Sequence, residues 1–112
     1  MKTLASHGPL SRASASLALV AIALAGGGTA GCGVLYAAKA NVAAGDLEQA
    51  KTLKADELAP YEYYSGKAYL EKAMEEAATA EYGDAVDFAG RAGDFAEKAI
   101  ELSRAAHEGS GR

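Results

Sequence analysis

The sequence predicts an all-α fold, and three observations carry that expectation. Alanine occupies 28 of the 112 positions, which fills the chain with the strongest helix former. From Val34 onward the apolar residues recur at intervals of three and four, the period of one helix face. Pro60 and the Tyr82-Gly83-Asp84 turn divide that region into long periodic stretches. The expected architecture is an antiparallel helical hairpin, about 60–82 and 84–107, preceded by a helix at about 34–55, in a three-helix arrangement.

The first 31 residues differ in character from the rest. Lys2 and Arg12 are their only ionisable groups besides His7, and they are followed by the apolar run Leu17-Ala-Leu-Val-Ala-Ile-Ala-Leu-Ala25. A membrane-spanning helix needs about 20 apolar residues. This shorter run reads as the core of an export signal. It leads to Thr29-Ala30-Gly31-Cys32, in which small residues precede the chain's one cysteine. That series resembles the lipobox of bacterial lipoproteins, with Thr29 where the family usually has leucine. The resemblance implies cleavage before Cys32, lipidation of Cys32 and, with Gly33 rather than aspartate next, sorting to the outer membrane. Two acyl chains hold a protein stably where one does so only marginally. The expected division is therefore a signal peptide at 1–31, a lipid-anchored helical domain at 32–108 and a disordered tail at 109–112.

Charge narrows the function further. Removing 31 residues from 112 leaves 81, and loses Lys2 and Arg12 but no acid, so nine basic residues face fifteen acidic ones. The net charge moves from −4 to −6. An acidic body repels phosphate backbones, which argues against a nucleic-acid partner. With no polybasic segment, attachment to a membrane has to come from lipid. One cysteine excludes an intramolecular disulfide, so helix packing alone must stabilise this small domain.

In helix 1, Tyr36, Ala40, Ala43, Leu47, Ala50 and Leu58 mark the apolar positions. Gly45-Asp46 reads either as a helix stop followed by an Asp N-cap or as a tolerated glycine. Pro60 suits the first turn of the next helix. There Ala59, Tyr63, Gly66, Leu70, Ala73, Met74 and Ala77 share one face, and Tyr61, Tyr64 and Ala68 form a softer second one. Two such faces imply cover from both neighbouring helices. Gly83 suits a left-handed C-cap and Asp84 the following N-cap. The last helix carries a stripe of Ala85, Phe88, Ala89, Ala92, Phe95, Ala96, Ala99, Ser103 and Ala106. Val86, Gly90 and Gly93 on its back read as an exposed face, although small residues there have room for another helix.

Little of this composition serves catalysis. An activated nucleophile needs a base oriented by a third group, yet Cys32 is assigned to lipid and His107, the one histidine after it, lies near a helix end. One histidine with scattered carboxylates does not match a zinc ligand set. Glu71, Glu75 and Glu76 read as a solvated helix face with Lys67 and Lys72. No metal, cofactor or small-molecule substrate is expected. Tyr61, Tyr64 and Tyr69 are the candidate partner-binding residues, because tyrosine offers a large contact area with a polar tip. The same aromatics also read as hairpin packing.

The segments Leu58-Ala-Pro-Tyr-Glu-Tyr-Tyr64 and Ala68-Tyr-Leu-Glu-Lys-Ala73 resemble an uncharacterised family of small α-helical envelope lipoproteins with an Ala-Pro-Tyr-Glu-Tyr element. The likeness extends over about 34–106 and is most specific at Ala59, Pro60, Tyr61, Glu62, Tyr63, Ala68, Leu70 and Ala73. Tyr82-Gly83-Asp84-Ala85 and Ala89 also resemble half of a tetratricopeptide repeat, and one hairpin is too short for a solenoid. Together these imply a non-enzymatic outer-membrane lipoprotein that faces the periplasm and acts as a protein-interaction or scaffold module with an envelope partner. The alternatives are a pilotin-like assembly factor for a secretion or motility complex, or a peptidoglycan-associated accessory. The last of these requires Glu62, Glu81 or Glu108 to gather in a pocket.

Overall fold

The computed structural model describes the backbone of residues 10–111 and side-chain surroundings from Gly31 to Gly111. The start of the predicted export signal, with Lys2 and His7, lies outside the described residues, as does Arg112 of the predicted tail. Four helices follow in order: α1 at Leu10–Thr52, α2 at Ala55–Leu58, α3 at Pro60–Ala78 and α4 at Tyr82–Ser110. The fold is all-α, with α3 and α4 forming the expected hairpin. The chain divides between Gly31 and Cys32 into two units, and the packing that follows is that of Cys32–Arg112.

Within this unit the second half of α1, α3 and α4 run up, down and up. Tyr61 meets Phe95 and Tyr69 meets Phe88, so α3 and α4 are antiparallel. Tyr36 pairs with Tyr82 at one end, and the His107 ring meets the Leu53 carbonyl at the other, so α1 and α4 are parallel. Among the described residues, ten of the thirteen buried apolar ones are alanine, joined by Leu47, Tyr63 and Ile100. Side chains that small let helix axes approach toward the short end of the usual 8 to 10 Å range.

The tightest point is Gly66. A Cβ there would lie 2.9 Å from Leu47 Cδ2 of α1 and 3.3 Å from the Ala92 carbonyl oxygen of α4. The expectation that the start of α3 is covered from both sides is met at Gly66 and at Tyr63, which is buried. The α4 stripe is also recovered: Ala85, Ala89, Ala92, Ala96, Ala99 and Ser103 are buried, and Ile100 joins them. Gly90 and Gly93 are half-buried, not exposed, and a Cβ on Gly90 would lie 3.5 Å from Lys39 Nζ of α1. The back of α4 is where α1 lies, which accounts for its small residues.

Several local expectations are corrected. Helix 1 starts well before residue 34, ends at Thr52, not near 55, and passes through Gly45 and Asp46 without interruption. Its end is set by Lys54 in the left-handed region (φ 60°, ψ 36°), after which α2 makes one turn before Pro60 starts α3 at its N1 position. Helix α3 ends at Ala78, not 82, because its C-terminal motif comes early. Ala80, at φ 64°, takes the left-handed position expected of Gly83. The Glu81 N–H donates to the Glu76 carbonyl at 2.9 Å and the Ala80 N–H to that of Ala77 at 3.1 Å, a Schellman motif without glycine.

Helix α4 thus begins at Tyr82, with Glu81 at its N-cap and no side-chain cap. Asp84 sits in the first turn, where its charge complements the helix dipole instead of capping. The predicted tail is partly helical, since α4 continues through Ser110, whose hydroxyl donates to the His107 carbonyl at 3.0 Å. Leu58 and Met74, expected in apolar faces, are 43% and 51% exposed. Leu58 falls on the isolated turn α2, and Met74 borders an open groove between α1 and α3.

The glycines and the left-handed alanine set three expectations for stability. Gly66→Ala should destabilise by about 1–3 kcal/mol, since the Ala92 carbonyl is backbone and yields poorly. Gly45→Ala, with open space around the added Cβ, should stabilise by about 0.5–1 kcal/mol. Urea unfolding of the two variants checks both signs. Ala80→Gly should raise stability by about 0.5–1 kcal/mol by removing left-handed strain, less the entropy that glycine adds to the unfolded chain. Thermal melts followed by circular dichroism measure the change.

Candidate functional site

Cys32 is exposed and has no disulfide partner among the described residues. It stands on α1 at the end of the bundle that also holds the α3–α4 turn, since Gly33 packs against Tyr82, with 3.7 Å from an added Cβ to the ring. Cys32 and the tyrosines of α3 therefore belong to different parts of the surface.

The three candidate tyrosines are only partly brought together. Tyr69 is half-buried and stacks on two rings of α4, Phe95 at 5.5 Å and Phe88 at 6.1 Å between centroids. Tyr61 meets the same Phe95 edge-on at 5.9 Å while remaining 70% exposed. The result is a row of rings, Tyr61–Phe95–Tyr69–Phe88, along the α3–α4 seam. The Arg91 guanidinium lies 5.7 Å from the Tyr69 ring centroid, within cation–π range. Tyr64 is not part of this row: it turns toward Tyr63 at 5.1 Å and is 54% exposed. At 100° per residue it projects to the other side of Tyr61 from Tyr69.

Phe88 and Phe95, expected in the core stripe of the last helix, are members of this site, and Arg91 joins them. Their spacing held the signal. Phe88 and Phe95 are seven residues apart, two helical turns, so an antiparallel α3 sets Tyr69 between them. The alanines at the centre of the seam keep the helices so close that these rings cannot enter, and they stack along its edge.

A second surface lies between α1 and α3. Leu47, Tyr63, Leu70 and Met74 line an open groove, with Lys51, Lys67, Glu48 and Glu71 on its rim. Lys67 Nζ lies 5.8 Å from the Tyr63 ring centroid. Of the expected helix-face ion pairs, Lys72 forms them, at 2.8 Å to Glu76 and 3.3 Å to Glu75, whereas Lys67 turns to the ring. The hydrogen bond from Lys72 to Glu76, followed by that to Glu75, holds the Lys72 ammonium above its ordinary range. Lys72 and Glu75 are exposed and Glu76 is half-buried, and with the ammonium in solvent these pairs have little weight in stability.

The carboxylates Glu62, Glu81 and Glu108 do not converge. Glu81 precedes Tyr82 at the Cys32 end, whereas Glu62 follows Pro60 and Glu108 adjoins His107 at the opposite end. The His107 Nε2–H donates to the Leu53 carbonyl at 2.9 Å, closing the carboxyl end of α1. Among the described residues no group of three or more His, Cys, Asp or Glu is placed to hold a metal ion, and no helix is long and apolar enough to cross a membrane. What the aromatic row offers chemically is recognition: flat apolar rings with hydroxyl tips and one cation beside them.

Comparison with known proteins returns no family model, no curated protein and no solved structure that matches this chain.

The burial contrast between neighbouring tyrosines sets an expectation that separates surface from core. Tyr63→Ala should cost about 3–5 kcal/mol of stability, as for other buried aromatic truncations. Tyr61→Ala should change stability by about 1 kcal/mol or less, the scale of one exposed aromatic pair. Chemical denaturation of the two variants tests the difference.

Proposed function

We propose that this protein is a non-enzymatic lipoprotein of the cell envelope, anchored in the outer membrane through Cys32 and facing the periplasm, whose helical bundle acts as a protein-interaction module. The observation that carries the reading is the division of the chain. The packed unit begins at Cys32, the residue that the small-residue series Thr29-Ala30-Gly31 singles out for cleavage and lipidation. Cys32 is also exposed, as a thiol that receives acyl chains must be.

The surface assigned to the envelope partner is the α3–α4 aromatic row, with Tyr61 as its most exposed ring, Tyr69 as its centre and Tyr64 at its margin. Exposed tyrosine on a rigid helix gives contact area at small entropic cost, which suits a recognition surface. Tethering adds to this, because confinement to a membrane raises the effective concentration of the module toward other anchored proteins.

Replacing Cys32 with Ala should move the protein from the membrane fraction to the soluble periplasmic fraction while leaving its far-ultraviolet circular dichroism helical. Retention of the Ala variant on membranes would refute the anchor. A photo-crosslinking residue at position 61 of the anchored protein should capture one envelope protein that the same residue at Met74 does not; equal capture from both positions would refute the assignment of the surface.

A further inference from the structure

The two ends of the bundle differ in chemistry. At the end opposite Cys32 stand Lys51, Lys54, Asp56, Glu57, Arg104 and Glu108, around the α1–α2 junction and the last turns of α4. At the Cys32 end the α1 side is apolar: Val34 and Leu35 are 69% and 49% exposed, and the adjoining α3–α4 turn offers Ala78, Thr79 and Ala80 to solvent, flanked by Glu75 and Glu76 on α3 and by Glu81 and Asp84 on α4. All fifteen acids of the chain lie at or beyond Asp46, so the first turns of α1 after Cys32 carry Lys39 as their one charge. Beside them Tyr36 and Tyr82 pair at 6.5 Å, both half-buried, with Glu81 and Asp84 as the charges nearest this end on the turn.

From this polarity we infer that the Cys32 end of the bundle seats directly on the lipid surface, with Val34 and Leu35 entering the interface and the Tyr36–Tyr82 pair at headgroup level. The inference rests on the anchor reading and adds an orientation to it. Helical rise places Val34 and Leu35 within about 5 Å of Cys32 along the axis, inside the depth of an interfacial contact once that residue is acylated. Tyrosine is enriched at membrane interfaces because its ring is apolar and its hydroxyl wet. Glu81 and Asp84 outweigh Lys39, so charge supplies no attraction to anionic lipid, and raising the salt concentration should not release a seat made by Val34 and Leu35. The charge-rich end then points away from the membrane, and the aromatic row runs up the side of the bundle, where a neighbouring anchored protein can reach it.

The chain contains no tryptophan, so one introduced at a chosen position reports alone. Val34→Trp, Leu35→Trp and, as a mid-bundle control, Met74→Trp are produced as the full chain in a lipoprotein-processing host and reconstituted into vesicles of phosphatidylethanolamine and phosphatidylglycerol. The first two should show blue-shifted emission that brominated lipid quenches and that high salt leaves unchanged. The Met74→Trp emission should stay red-shifted and be quenched only by aqueous iodide. Vesicle-bound protein whose position 34 and 35 emission resembles that of position 74 overturns the seating and leaves the anchor intact. Protein that fails to float with the vesicles, and whose Cys32→Ala form behaves identically, overturns the anchor and the seating with it.

Discussion

Gly66 has no side chain, and the rest of the bundle is arranged around that fact. Its α-carbon faces Leu47 of α1 and the backbone of α4 at Ala92 and Ala96, so three helices meet where only one of them contributes a bulky group. The alanines at 43, 50, 92, 96 and 99 extend the same close spacing above and below. A core of this kind draws its cohesion from many short backbone and methyl contacts, in which dispersion accumulates through number and not through the size of any side chain. It also leaves almost no interior volume, and so no room for the rings.

The placement of the aromatics follows from that exclusion. Tyr63 is the one aromatic that is buried, and the others line the edges of the seams: Tyr61, Phe95, Tyr69 and Phe88 between α3 and α4, and Tyr36 with Tyr82 between α1 and α4. A thin core thus produces an aromatic exterior, and the surface assigned to a partner is a by-product of how the helices pack. The charges complete the picture. They populate the outer faces and the α2 end, and along α1 become sparse toward Cys32. On the proposed reading these gradients divide the labour, with one end for lipid, one seam for protein and the remainder for solubility.

The three long helices and their boundary at Pro60 were legible in the sequence because periodicity and proline act locally. The α4 stripe was legible for the same reason, as its alanines fall on one face whatever packs against them. Local signals failed where two of them competed. Gly83 and Asp84 have the residue types of a cap, yet the left-handed residue is Ala80, because the Schellman bonds from Ala80 to Ala77 and from Glu81 to Glu76 close α3 earlier. Gly45 has the type of a helix stop, yet its neighbours are strong helix formers and α1 passes through it. Met74 lies on the apolar face of α3 by angle and is half exposed, because α1 and α3 leave an open groove at that level.

The sequence by itself determined the helical class, the three periodic segments and the uniqueness of Cys32, all of which depend on residue identity and on spacings within a few turns. Only the tertiary structure decided that Gly90 faces α1, that Phe88 and Phe95 join Tyr61 and Tyr69 while Tyr64 turns to Tyr63, and that Cys32 shares an end of the bundle with Val34, Leu35 and Tyr82. These are relations between segments distant along the chain. They depend on the register in which α1 and α3 slide against α4, and that register is set by where a missing side chain at Gly66 lets the helices touch.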